Sequence, residues 1–164
     1  MAAGSTYTPI ATYTIPSNTT TYTFSSIPGT YTDLVIVVSG IGSSAADFGV
    51  CLRYNGDTGT NYSATQLDAN GSTVASYREA NAVHQNIGIL SGAGQGNSIF
   101  NIENYSNTTT YKTAIARGNA ATNYLRAAVG MWRSTAAITS VTLYNPSTNM
   151  LTGTTLTLYG IAAA

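Results

Sequence analysis

The sequence predicts an all-β fold, an antiparallel β-sandwich of jelly-roll type with about ten strands. Three observations predict it. β-Branched and aromatic residues, threonine and tyrosine above all, crowd the chain, while strong helix formers are thin. Short stretches with apolar residues at a period of two are parted by clusters of Gly, Asn and Pro. No segment carries the helical pattern of about a dozen residues that a parallel crossover needs.

Taken in order, IATYTI (10–15) and TYTFS (21–25) read as short strands with PSNTT turning between them. YTDLVIVVSG (31–40) is apolar on both faces at its centre, as an interior strand is, and FGVCLRY follows from Phe48. Next come NYSATQLDANG, AVHQNIGIL and NSIFNIENY, then TYKTAIARG and NYLRAAVGMWRS, and finally ITSVTLYN and TTLTLYGI. Asn55-Gly56 and Asn70-Gly71 are hairpin signals. In ITSVTLY the apolar residues Ile138, Val141 and Leu143 break phase, which predicts a bulge or an edge. The alanine pairs at 120–121 and 127–128 leave a short helix open there. SGIGSSAAD (39–47) and LSGAGQGNS (90–98) are loops. The expected organisation is an extended N-terminal arm over residues 1–9 and a single sandwich domain over 10–164.

Composition narrows the function classes. Only 7% of residues are charged and the formal net charge is zero, whereas an average domain is about 25% charged. Lys112 and five dispersed arginines make no basic patch, so nucleic acid is not an expected partner. The longest apolar run, Leu34 to Val38, is too short to span a membrane as a helix, and MAAGSTYTPIATYT lacks the basic head and apolar run of a secretion signal. A single cysteine, Cys51, excludes an internal disulfide and reads as a small buried hydrophobe.

The chemistry-bearing residues are few. Asp57-Thr58-Gly59 is the tripeptide by which aspartic proteases present a carboxylate, but there it is clamped by apolar strands and paired with a second carboxylate. Here its flanks are polar and no second copy exists, so NGDTGTN reads as a turn whose Asp caps local N–H groups. Calcium at the same loop would want more carboxylates than Asp57 with Asn55 and Asn61 supplies. His84 is the lone histidine, no serine sits in a nucleophile elbow, and the six acids form no close pair in sequence. SGAGQGNS lacks the closing Lys of a phosphate loop. The expectation is no enzyme, no cofactor, no metal and no small-molecule substrate. Twelve tyrosines and one tryptophan suit either a sugar-binding groove or subunit packing, since a tyrosine hydroxyl tolerates a wet rim. Assembly is the favoured use, with Tyr7 and Pro9 in the arm and Tyr105, Tyr111, Tyr124 and Trp132 around Arg117 as the expected contact residues.

Several segments together resemble a known family. They are IPGTYTDL (27–34), NGDTGTNYS (55–63), NYSNTTTYKT (104–113), WRSTAAIT (132–139) and the ending LTLYGI (156–161). Over nearly the whole chain they resemble small virion structural proteins of tailed bacteriophages, cyanobacterial phages among them. The resemblance implies a β-sandwich that joins a particle. It further implies a capsid decoration, or cement, protein on the outer surface of the capsid. Its partners would be the major capsid protein and copies of itself in a homotrimer. The other reading is a tail-fibre or baseplate module that binds host-surface glycans. No catalytic residue is implied by either.

Overall fold

A computed structural model describes residues 6–42, 48–92, 94–121 and 123–162. It holds twelve strands: β1 (Tyr7–Thr14), β2 (Thr21–Phe24), β3 (Asp33–Gly40), β4 (Phe48–Tyr54), β5 (Tyr62–Ala69), β6 (Val74–Ala82), β7 (Gln85–Leu90), β8 (Gly96–Glu103), β9 (Lys112–Ala120), β10 (Tyr124–Trp132), β11 (Val141–Tyr144) and β12 (Thr155–Ile161). They form an eight-stranded sheet in the order β1-β12-β3-β8-β9-β10-β5-β6 and a four-stranded sheet in the order β2-β11-β4-β7. Every pairing between strands is antiparallel. The expected all-β, jelly-roll-like sandwich is the fold.

Period-two alternation places the core between the sheets. Leu34, Ile36 and Val38 of β3, Phe100 and Ile102 of β8 and Leu156 and Leu158 of β12 face Val50 and Leu52 of β4, Ile87 of β7 and Val141 and Leu143 of β11 within one buried cluster. Under β7 the large sheet turns small side chains inward: Ala114 and Ala116 on β9, Ala128 and Gly130 on β10. A Cβ on Gly130 would stand 2.8 Å from the Gln85 side chain, so the missing atom is what lets β7 lie this close. At the other margin Tyr13 of β1 stacks on Tyr22 of β2, centroids 4.0 Å apart and planes at 13°.

The structure corrects several expectations. Residues 7–9 are not an arm: Tyr7, Thr8 and Pro9 pair with Ile161, Gly160 and Tyr159 of their own chain, and Tyr7 meets Tyr159 edge-on. Residues 1–5 of that arm lie outside the described residues. Asn55-Gly56 does not close a hairpin, because β4 and β5 belong to different sheets and the turn carries the chain across; Asn70-Gly71 does join the paired strands β5 and β6. The alanine pair in 127–128 sits in strand β10, held on both sides by pairing, and Ala120 ends β9. Ile138 is buried but precedes β11, packing from a loop, which explains its broken phase. β6 was not expected at all.

Candidate functional site

The turn 55–61 forms as expected. Asn55 and Gly56 adopt positive φ of 51° and 68°, and the Asp57 carboxylate accepts from Gly59 N (2.8 Å), Asn61 Nδ2 (2.9 Å) and Trp132 Nε1 (2.7 Å). Burial pushes that carboxyl up, but the bonds from Asn61, Trp132 and Gly59 outweigh it and hold it below the ordinary aspartate value. Asp57 is therefore a structural anchor that ties the turn to the end of β10. Asp57→Ala is expected to cost about 1–3 kcal/mol, seen as a lowered midpoint in urea with unchanged slope, and Asp57→Asn less.

The other reactive groups among the described residues lie in separate surroundings. Burial and the nearby Glu79 push the Cys51 thiol up to about 12, so it stays protonated and inert. His84 is half-buried; burial lowers its pKa, its Nδ1 meets the Tyr144 hydroxyl, and Arg53 lies over the Tyr144 ring at 4.3 Å. Among the described residues no three His, Cys, Asp or Glu side chains converge as a metal site. His84 borders a polar cleft of about 550 Å³ with Asn86, Asn145, Ser147 and Thr148. Asn145 is committed within it, donating to Gly49 O and accepting from the 147 and 148 N–H groups.

One buried ionic cluster does span the sandwich. Arg126 of β10 grips Asp68 of β5 with two bonds, Nε–Oδ1 at 2.7 Å and Nη2–Oδ2 at 2.8 Å, and its Nη1 donates to Gly88 O of β7 at 3.0 Å. Tyr124 donates to the same carboxylate at 2.5 Å. Burial raises the Asp68 pKa, but Arg126 and Tyr124 outweigh it and keep it low.

The feature with the shape of a binding surface is the outer face of the large sheet. Across β8, β9, β10 and β5 the registers align Asn101, Ile115, Val129 and Thr65 in one row and Ile99, Arg117, Ala127 and Leu67 in the next. They line a shallow groove of about 450 Å³. Leu67, Ile115, Leu125 and Val129 stand 43–53% exposed, which is unusual for so compact a group of large apolar side chains. Arg117 is the charge at its middle.

The expected contact residues distribute differently. Tyr105 and Trp132 are buried in the domain's own core, Tyr105 donating to Pro28 O and Trp132 packed against Tyr54 and Tyr62 at 5.5 and 6.2 Å, so neither reaches a partner. Tyr124 is half-buried and bound to Asp68. Tyr7, Pro9 and Tyr111 are exposed, but Tyr7 and Pro9 lie on edge strand β1 and Tyr111 precedes β9, and none borders the groove. Leu67, Ile115, Leu125 and Val129 were missed because pattern reading assigns large apolar residues to the core. The available signal was that the opposite phase of β10 is Arg126, Ala128 and Gly130.

No protein-family model and no curated protein matches the sequence. Among solved structures, an exo-inulinase from Aspergillus awamori aligns at 13% identity and TM-score 0.50, covering 94% of this chain and 29% of that one. The chain thus spans under a third of the inulinase, and the likeness shows the β-sandwich alone. Caenorhabditis elegans galectin LEC-6 aligns at 11% identity and TM-score 0.39, covering 93% and 96% of the two chains. Alginate lyase Aly36B, as a mutant in complex with alginate tetrasaccharide, aligns at 8% identity and TM-score 0.33, covering 82% and 72%.

Proposed function

We propose that this chain is a virion structural protein of a tailed phage, a capsid decoration protein that docks on major capsid protein subunits through the outer face of its eight-stranded sheet. The observation that carries the docking face is the exposed apolar group Leu67, Ile115, Leu125 and Val129 around Arg117; the sequence resemblance supplies the particle. Uncharged surfaces cost less to desolvate than unpaired ions, and the chain is only 7% charged. Repeated over a shell, such contacts act together and hold tightly while each stays weak.

Leu67→Asp and Val129→Asp test the reading. Each places a carboxylate in the groove and is expected to weaken binding to empty shells about tenfold or more, measured by co-sedimentation, with an unchanged melting temperature. Wild-type protein that ignores shells, or variants that bind like wild type, would remove the proposal. The second reading, a tail-fibre or baseplate module for host glycans, draws on the polar cleft beside His84 and Asn145. It predicts glycan-array binding by the isolated protein and none to shells.

A further inference from the structure

The two edges of the eight-stranded sheet are built differently. β1 carries Pro9, which has no N–H to offer, and a register break between Pro9 and Ala11. At the opposite edge β6 pairs with β5 alone among the described residues, which leaves its outer side without a ladder partner there. Between residues 74 and 80 it has no proline, glycine or lysine and keeps unbroken register with β5. The irregularity comes only beyond it, at Asn81, where φ is 55°. Val74 is 74% exposed and Tyr77 52%. An exposed edge of this length and regularity is a template for another strand.

We propose that two copies of this chain join antiparallel along β6, about a two-fold axis through Tyr77, so that their large sheets become one continuous sheet. The register follows from the strand itself. Tyr77 is the midpoint of the regular stretch 74–80, so full overlap puts the axis there. Side chains opposite one another then share a face: Ser76 meets Arg78 of the second copy, Ala75 meets Glu79, Val74 meets Ala80, and the two Tyr77 rings meet across the axis. No like charges oppose. Moving the axis to residue 78 would set Arg78 against itself, and moving it to 79 would do the same to Glu79. Glu79 needs no new partner, since it accepts from Asn86 Nδ2 at 3.2 Å. The outer faces of the two copies also run on into each other, because Ser76 and Arg78 stand in register with Leu67 and Thr65. This is a closed, isologous pair in place of the three-fold cluster implied by the resemblance. It does not depend on what the outer face binds.

Sedimentation equilibrium on the full chain tests it. Wild type is expected to be a monomer–dimer system. Ser76→Lys sets a cation against Arg78 of the second copy and is expected to weaken the dimer by roughly tenfold or more. Ser76→Lys with Arg78→Glu turns both repulsions into attractions and restores it, while Arg78→Glu alone leaves it standing. A wild type that stays monomeric or forms trimers overturns the proposal. So does a dimer that Ser76→Lys leaves intact, or a loss that the double variant fails to repair.

Discussion

Asp68→Ala is expected to cost about 3–5 kcal/mol, a large share of the roughly 5–15 kcal/mol that holds a domain together. The loss comes from what is left behind. Arg126 would remain buried with its guanidinium aimed at an empty place, while its bond to Gly88 O keeps it tethered beneath β7. Asp68→Ala with Arg126→Met removes the stranded charge and is expected to recover much of the stability, so urea unfolding of the two variants should rank the double above the single. The same pair sets an acid limit. Because the folded Asp68 pKa lies below its unfolded value, the stabilisation is complete above about pH 4 and is lost as pH falls through the folded value. Asp57 adds to the slope in the same sense. Thermal midpoints between neutral and acid pH should fall more steeply for wild type than for the double variant.

Trp132→Ala should be as damaging by a different route, costing about 3–5 kcal/mol. The indole packs between Tyr54 and Tyr62, all three buried, and its N–H ends on Asp57. Removing it leaves a cavity walled by two tyrosines whose hydroxyls are already engaged, Tyr62 with Asp57 O and Tyr54 with the Gln85 amide. Those bonds resist collapse into the gap, so little of the cost is regained. Trp132→Phe keeps most of the volume and should lose little beyond the bond to Asp57. Denaturant unfolding separates the two.

How much of this was legible in sequence depended on whether a segment's pattern matched its environment. β3 and β12 announced themselves, because their inward residues are large and their register with each other is uninterrupted. The turn at Asp57 was readable too, since Asn, Gly and Asp each serve a local need. β6 was not, because VASYREANA has little buried on either face and so shows no alternation. The exposed apolar face of the large sheet was hidden for a related reason. In β10 the large aliphatic side chains, Leu125 and Val129, point to solvent, and the inward phase mixes Arg126 with alanine and glycine. A hydropathy pattern reports side chains; it does not report that β7 lies so close that only small ones fit. The Asp68–Arg126 bond joins residues 58 apart in the chain, a distance over which no local pattern speaks.

The pairing of the first and last strands has a mechanical consequence. Tyr7 lies opposite Ile161 and Thr14 opposite Thr155, so the beginning of β1 and the end of β12 sit side by side. Tension applied there would peel the two strands apart one rung at a time, the weak direction for a sheet, instead of shearing all their bonds together. Force entering through these two strand ends together would therefore part the pair early, whereas force entering through the broad flank of the sheet loads many bonds at once.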